Sequence, residues 1–190
     1  SLGPDRVEDA MEMARIGAGL THAEFDEEPR MFTNINSSSP LKHDWPMLDG
    51  AMRLARRRQP VIIAPFTLAG AMAPVTIVGS IVQQTALLEY ITPGTPVVFG
   101  AFTSNVDMKS GSPAFGTPEY MRAMQISGQM ARFYKLPWRG SNANASNAPD
   151  GQAIWESQNS LFSVLSGHCG VIFHAAGWVE GGLSASFERS

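Results

Sequence analysis

The sequence predicts an α/β fold in which parallel strands alternate with helices. Short apolar segments typical of strands lie at 31–35, 61–64, 97–102, 136–140 and 171–174. Other segments carry apolar residues every three to four positions, the spacing of an amphipathic helix; they lie at 5–18, 45–57, 75–89, 119–134 and 152–165. This alternation predicts parallel pairing, because each helix returns the chain to the end of the sheet where the previous strand began.

The spacing of the strands favours a barrel. They begin near residues 31, 61, 97, 137 and 171, which is an even repeat of 30 to 40 residues. No GxGxxG motif follows any strand, so the main argument for a dinucleotide-binding sheet is absent. A complete barrel has eight strands in about 250 residues. We therefore predict a partial (β/α)8 barrel of the TIM type, about five β-α units of a truncated chain, with residues 1–190 forming a single domain.

Caps and apolar stripes support the individual helices. Asp44 and Asp150 precede two of them, and aspartate is a residue type that caps helix N-termini. Pro137 weakens the fourth strand, because it cannot donate a hydrogen bond to a neighbouring strand. The positions expected to face the core are Val7, Met11, Ala14 and Ala18; Leu48, Ala51, Met52 and Ala55; Val78, Ile81, Val82 and Leu88; Tyr120, Met124, Ala131 and Tyr134; and Ile154, Leu161 and Leu165.

Composition and charge narrow the class of protein. The chain has 190 residues, of which 44% are hydrophobic, and this is enough for one sizeable core. The net charge is −3 and the longest basic run is Arg56 to Arg58, so no nucleic-acid partner is expected. No apolar stretch approaches the roughly 20 residues that cross a bilayer, so no membrane is expected. The single cysteine, Cys169, cannot form an internal disulfide, which indicates a reducing, cytoplasmic environment.

The candidate site lies at the carboxyl ends of the strands. The segments that follow strands, at 36–44, 66–74, 103–118 and 141–151, are long and polar, whereas those that follow helices are short, as at 58–60. In parallel α/β folds, ligands bind where the carboxyl ends of the strands emerge. The residues expected on that face are Asn34, Asn36, Phe66, Thr67, Phe102, Asn105, Asp107, Trp138, Arg139, Asn142, His174, Trp178 and Glu180.

Each of these candidates also has a purely structural interpretation. Asparagines after strands form turns or cap helices, and Asp107 could satisfy the amides of its own loop. Arg139 could pair with a neighbouring carboxylate, His174 could be a hydrogen-bonded residue of the core, and the aromatic rings could simply pack. The convergence of the candidates on one face, rather than any single residue, favours a functional role.

A metal site is not predicted, although His168, Cys169 and His174 are close in sequence. Cys169 and His174 lie at opposite ends of the fifth predicted strand, which at about 3.3 Å per residue places them roughly 16 Å apart. Zinc ligands lie about 2.0 to 2.3 Å from one centre, so these two side chains cannot share a metal ion. Cys169 is also expected at the end of the strand away from the candidate site.

Several segments resemble the trimethylamine methyltransferase (MttB-like) family. They are Pro60–Phe66 (PVIIAPF), Gly111–Glu119 (GSPAFGTPE), Leu136–Ser141 (LPWRGS), Pro149–Ala153 (PDGQA) and His174–Leu183 (HAAGWVEGGL). The resemblance covers most of the chain in order, and its segments include the loops that are expected to carry function. Members of the family are longer, which agrees with a truncated barrel. No pyrrolysine is present, so the chain resembles the pyrrolysine-free branch.

The resemblance implies an enzyme that moves a methyl group from a quaternary or tertiary amine, such as trimethylamine or a betaine, to the cobalt of a corrinoid. The corrinoid would be carried by a partner protein, and this chain would bind no cofactor or metal of its own. Aromatic rings attract methylated ammonium groups, and arginine binds carboxylates in a bidentate manner. The substrate-binding candidates are therefore Phe66, Phe102, Asn105, Asp107, Trp138, Arg139 and Trp178, and the catalytic candidates are His174 and Glu180.

Two other functions stay open at this point. The first is another TIM-barrel enzyme, a lyase or hydrolase, that uses His174 and Glu180 as acid and base. The second is a non-catalytic module that docks a corrinoid protein. A homo-oligomer is also left open.

Overall fold

The computed structural model describes residues 9, 12, 15, 16, 19, 21–27, 33–35, 52, 53, 55, 56, 59–63, 66–68, 82, 85, 86, 89, 90, 92–100 and 102–175. The strands are β1 Thr33–Ile35, β2 Val61–Ile63, β3 Phe66–Leu68, β4 Val97–Gly100, β5 Phe102–Val106, β6 Pro113–Ala114, β7 Trp138–Ser141 and β8 Val171–Phe173. The helices are α1 His22–Glu27, α2 Pro118–Tyr134 and α3 Gly151–Ser166. None of the helices described is both long and apolar enough to cross a membrane.

The main sheet has five parallel strands in the order β1-β2-β4-β7-β8. These are the five strands predicted from the sequence, and their parallel pairing is confirmed. Strands of this sheet that follow one another along the chain are also neighbours in the sheet. A doubly wound sheet reverses its strand order at one point, and this sheet shows no such reversal among the described strands. The mixed α/β fold therefore matches part of a barrel.

A second, smaller sheet was not predicted. It has the order β3-β5-β6, with β3 and β5 parallel and β5 and β6 antiparallel. Two residues separate β2 from β3, and one residue separates β4 from β5. Strands β3 and β5 therefore continue the chain beyond the carboxyl ends of the main sheet. The segments that were expected to be loops at 66–74 and 103–118 are thus partly ordered by backbone pairing.

Helices α2 and α3 begin at caps that the sequence supplies. Thr117 accepts a hydrogen bond from the Tyr120 backbone amide at the start of α2, which also has Pro118 in its first turn. Asp150 accepts from the Ala153 amide at the start of α3, which confirms its predicted role as the cap. Asp44, the other predicted cap, lies outside the described residues.

The core lies between the main sheet and the helices. Val61, Val97, Phe99 and Trp138 of the sheet belong to one buried cluster, which also contains Tyr120, Ala123, Met124 and Ala131 of α2, Val164 of α3, Ala55, Phe115 and Ala143. A Cβ atom at Gly140 would lie 2.5 Å from Val164, so this residue also faces the helices. Side chains alternate along a strand, and Arg139 and Ser141 therefore point to the opposite face of the sheet.

The apolar stripes were only partly predictive of burial. Tyr120, Met124 and Ala131 are buried as predicted. Ile154 and Leu165 are each 61% exposed, and Tyr134 and Val82 are also exposed, so for these residues the prediction was wrong. The face of α3 that packs inward consists instead of Ala153, Glu156, Ser157, Ser160, Ser163 and Val164.

Candidate functional site

Arg139 is the second of the four residues of β7 and lies on the face of the sheet that is opposite the helices. Its side chain is 2% exposed, and its Nη1 donates a hydrogen bond of 2.7 Å to the hydroxyl of Ser141. Its Cζ lies 4.6 Å from the ring centroid of Phe173 on β8, a distance at which a cation is attracted to the ring face. Burial lowers the pKa of the guanidinium to about 10, so the group is still positively charged at neutral pH.

His174 follows β8 directly and adjoins this pair. Its backbone is in the left-handed region, with φ of 57°, which turns the chain sharply at the end of the strand. Its ring meets that of Phe173 edge to face at 6.2 Å. Partial burial, together with the positive charge of Arg139, lowers the pKa of the imidazole to about 4, so the ring is neutral at neutral pH. The Phe173 ring contacts both Arg139 and His174, so the fold brings these two predicted site residues close together.

Trp138 lies on the other face of the sheet from Arg139. It is 4% exposed and belongs to the core cluster. A Cβ atom at Gly167, just after α3, would lie 2.5 Å from its ring, so the indole packs tightly against the end of that helix. This position supports the structural interpretation of Trp138 and gives no support to a contact with substrate.

Asn105 and Asp107 lie at the end of β5 and in the turn that follows. The side-chain oxygen of Asn105 accepts a hydrogen bond from Thr117, the cap of α2. The carboxylate of Asp107 accepts hydrogen bonds from the hydroxyl and amide of Ser110 and from the amide of Lys109. The Ser110 hydroxyl first, and then these amides, lower the pKa of Asp107, which is therefore a carboxylate at neutral pH. Asp107 does satisfy loop amides, and it remains exposed to solvent.

Of the four remaining aromatic and acidic candidates, the structure describes Phe66 and Phe102. Phe66 on β3 and Phe102 on β5 are register partners in the small parallel sheet, so their backbones are adjacent beyond the carboxyl ends of β2 and β4. Trp178 and Glu180 lie outside the described residues.

A cavity of about 580 Å³ opens beside the turn that carries Asp107. Its lining comes from the β5–β6 turn and from the segment after β7, and consists of Asp107, Ser110, Ser112, Pro113, Ala114, Phe115, Asn144, Ala145 and Asn147. Asn144 is 0% exposed, and neither its side-chain oxygen nor its nitrogen has a hydrogen-bond partner. Asn144 was not among the candidates predicted from the sequence, although its position in the polar segment after a strand was a signal that could have identified it.

The segment after β7 is held by hydrogen bonds to α2 and α3. Buried Tyr120 donates its hydroxyl to the carbonyl of Ser141 at 2.8 Å. The carboxylate of Glu156 accepts from the backbone amides of Ala145 and Ser146, at 2.8 and 2.9 Å. These bonds, together with further hydrogen bonds from α3, fix the backbone around the cavity. Asn142 pairs with Ser157, and Ser160 donates to the carbonyl of Ala143.

Cys169 lies at the beginning of β8, away from the carboxyl end. Its sulfur lies 2.8 Å from the Gly140 amide, which donates to it, and burial raises the pKa of the thiol. A raised pKa favours the neutral thiol, which is a poor nucleophile. Within the described parts of the chain, no three His, Cys, Asp or Glu side chains are grouped as metal ligands.

Comparison with known proteins identifies the relatives of this chain. It is 36% identical to glycine betaine methyltransferase of Desulfitobacterium hafniense (strain Y51), in a match that covers 98% of this chain and 40% of the relative. It is 30% identical to proline betaine:corrinoid methyltransferase of Eubacterium limosum, over 86% of this chain and 35% of that protein. Trimethylamine methyltransferase MttB of Methanosarcina barkeri (strain Fusaro / DSM 804) is 27% identical over 97% of this chain and 39% of its own length.

The chain therefore spans about two-fifths of the length of the curated relatives it matches. The sequence model of one family, described as trimethylamine methyltransferase (MTTB), matches residues 1–190. The segments that carried the resemblance in the sequence lie within this match. The chain belongs to the trimethylamine methyltransferase (MTTB) family.

Proposed function

We propose that the full-length protein transfers a methyl group from a quaternary or tertiary amine to the cobalt of a corrinoid carried by a partner protein in the cytoplasm. The observation that carries this proposal is the family match over the whole chain. Relatives named for glycine betaine and proline betaine are more similar to this chain than those named for trimethylamine. A betaine-like quaternary amine is therefore our first choice of substrate.

We also propose that residues 1–190 are a single domain that forms about five β-α units of a (β/α)8 barrel. The unreversed order of five parallel strands supports this, because consecutive strands are neighbours around a barrel. The substrate would then bind at the carboxyl ends of the strands, where Arg139, Phe173 and His174 lie together.

Methyl transfer from a quaternary amine requires little acid–base catalysis. In methyl transfer from a quaternary ammonium, the carbon–nitrogen bond breaks, a carbon–cobalt bond forms with the electron pair of reduced cobalt, and the amine leaves as a neutral molecule. No proton moves in this step. The contribution of the protein is therefore to hold the methyl carbon in line between nitrogen and cobalt and to exclude water.

The described residues suit a zwitterionic substrate in this role. In our proposal the guanidinium of Arg139, which remains charged, binds a betaine carboxylate as a planar fork. The imidazole of His174 is neutral, so it does not repel an ammonium group. The carboxylate of Asp107, and that of Glu180 in our proposal, would balance the positive charge, while Phe66, Phe102 and Trp178 would supply aromatic faces.

The pKa of His174 disfavours the alternative of an acid–base enzyme. General acid–base catalysis is most effective when the pKa of the group is near the working pH. With a pKa of about 4, His174 is almost never protonated at neutral pH and is a weak base. A neutral lining group is the role that agrees best with this value.

The test is methyl transfer by the full-length protein with a reduced corrinoid partner. Visible absorption reports methylation of the cobalt, and mass spectrometry reports the demethylated amine. The donors are glycine betaine, proline betaine, carnitine, trimethylamine and tetramethylammonium, with a carbon isostere that has no ammonium nitrogen as the control. We expect methylation with at least one carboxylate-bearing donor, and the absence of methylation with every donor would refute the proposal.

A further inference from the structure

The cavity beside the β5–β6 turn is separate from the Arg139–Phe173–His174 cluster, since none of these three residues lines it. It is formed by the turn at 107–112 and by the segment after β7, both of which follow strands. It therefore belongs to the same functional face of the sheet as the proposed substrate site. Its volume of about 580 Å³ is larger than a single methylated amine requires.

Asn144 gives this cavity a specific chemical character. Buried side-chain polar atoms are nearly always hydrogen-bonded, yet the oxygen and the nitrogen of this amide both lack a partner. A ligand that satisfies both atoms must donate a hydrogen bond to the oxygen and accept one from the nitrogen. A carboxamide does both within one planar group.

The charge of the cavity selects a neutral ligand group over an anionic one. Asp107 is a carboxylate at neutral pH and lines the same cavity. A ligand carboxylate would be repelled by this charge and could not donate a hydrogen bond to the Asn144 oxygen. A carboxamide carries no charge, so Asp107 does not repel it, and its N–H can donate a hydrogen bond to the Asn144 oxygen.

The neighbours of Asn144 are fixed, whereas its own amide can turn. Ser160 holds the carbonyl of Ala143, and Glu156 holds the amides of Ala145 and Ser146. The terminal torsion of asparagine has a broad range, so the amide can be presented to the cavity without movement of the backbone. The backbone around this residue is thus organised in advance of binding.

We infer that this cavity receives a carboxamide side chain of the corrinoid, and that Asn144 is the residue that recognises it. The inference rests on the proposed function, which brings a corrinoid to this face. Corrinoids carry primary carboxamides around the rim of a flat macrocycle, and a large flat ligand that covers the strand ends would place its rim over the surrounding loops. Asn144 would then position the acceptor relative to the amine.

The test compares two corrinoids that differ in hydrogen-bond donors. Cobinamide retains the carboxamides, whereas the heptamethyl ester of cobyrinic acid replaces them with esters that only accept. Their dissociation constants for the full-length protein are measured by equilibrium dialysis and visible absorption. We expect cobinamide to bind wild type about three- to tenfold more tightly than the ester, which is the factor for one neutral hydrogen bond.

Substitution of Asn144 should remove this preference. Asn144→Leu should bring the two corrinoids to equal affinity, because it removes the oxygen to which only cobinamide can donate as well as the N–H from which both can accept. Gln129→Ala, at an exposed position of α2, should leave both affinities as in wild type. Because Asn144→Leu removes an unsatisfied buried amide, its melting temperature should equal or exceed that of wild type. If Leu prevents folding, Asn144→Ala, which removes both the acceptor oxygen and the N–H donors, should lose the preference in the same way.

The outcomes separate this inference from the proposed function. If wild type binds neither corrinoid, binds both equally, or retains its preference in the Asn144 variants, the inference is wrong even when methyl transfer occurs. If the preference for cobinamide depends on Asn144 but no methylated amine donates a methyl group, the proposed function fails and the carboxamide site stands.

Discussion

The guanidinium carbon of Arg139 lies 4.6 Å from the centroid of the Phe173 ring. The two residues come from neighbouring strands, β7 and β8, in which Ser141 is the register partner of Phe173. The stacking orients the guanidinium, and the hydrogen bond from its Nη1 to Ser141 fixes one edge of the fork. An arginine held in this way loses less side-chain freedom when it binds a carboxylate than a free one would.

Replacement of this arginine by lysine should be more harmful than the conserved charge suggests. We predict that Arg139→Lys weakens the binding of a carboxylate-bearing amine to the full-length protein by about tenfold, or about 1.4 kcal/mol, because lysine lacks the planar fork and the stacking surface. Calorimetric titration with betaines and their neutral isosteres measures the effect. Arg122→Lys, at an exposed position of α2, is the control. An equal loss of affinity for the neutral isosteres would contradict a role in carboxylate binding.

His174 should make the stability of the fold sensitive to acid. Its pKa is about 4 in the folded chain, against about 6.5 for an unperturbed histidine. Between these pH values the unfolded chain binds more protons, so the free energy of unfolding should fall as the pH is lowered from about 6.5 to about 4, and this contribution should level off below pH 4. At neutral pH and above, the full stability is present.

The measurement is urea unfolding at a series of pH values, for wild type and for His174→Asn. Asparagine tolerates the left-handed backbone at this position, so the substitution tests the imidazole rather than the turn. The difference in stability between the two proteins should diminish or reverse as the pH falls through this window, because only wild type has to keep an imidazole unprotonated. Gln158→Ala, at an exposed position of α3, changes no titratable group and is the control, so its free energy of unfolding should follow that of wild type across the pH series. If the free energy of unfolding changes with pH in the same way for wild type and His174→Asn, then His174 is not the cause of the sensitivity to acid.

The sequence predicted the main sheet well because its strands are marked by apolar runs. Val61 and Val97 begin two such runs and are register partners in the sheet. The small sheet was missed because Thr103 and Ser104 are polar and buried, and their pairing depends on backbone hydrogen bonds that leave no apolar pattern. Hydrophobic periodicity detects the burial of apolar side chains and does not detect strands of this kind.

Helix α3 shows the limit of the apolar stripe as a guide to burial. Its inward face carries serines whose hydroxyls bond to the segment after β7, as Ser160 does to Ala143. Ile154 and Leu165 consequently lie on the outer face. The candidate site was found only in part for a related reason. Arg139 and His174 are polar and could be recognised, whereas Phe173 could be recognised as part of the site only once the register of β8 was known.

Glu156 should be required to hold the segment after β7. We predict that Glu156→Ala lowers the free energy of unfolding by about 3 kcal/mol, because the amides of Ala145 and Ser146 then lose a charged acceptor in a largely buried place. Glu156→Gln should cost less, since its single carbonyl oxygen can still accept from both amides. Urea unfolding measures both values, with Gln158→Ala on the exposed face of α3 as the control. Equal losses for Ala and Gln would show that the acceptor oxygen is not what stabilises this segment.

The crossing of α2 and α3 should tolerate no side chain at Gly128. A Cβ atom there would lie 2.2 Å from the carbonyl oxygen of Gly167, a backbone atom that cannot swing aside as a flexible side chain can. We predict that Gly128→Ala lowers the free energy of unfolding by about 1 to 3 kcal/mol through overpacking, even though alanine is the better helix former. Gly151→Ala, in the first turn of α3, is the matched control. A Cβ atom at that position would meet nothing within 4 Å, so the change should stabilise the protein by about 0.5 to 1 kcal/mol. Thermal and urea unfolding of both variants measure the two effects, and a stabilising Gly128→Ala would mean that the helices do not approach each other this closely.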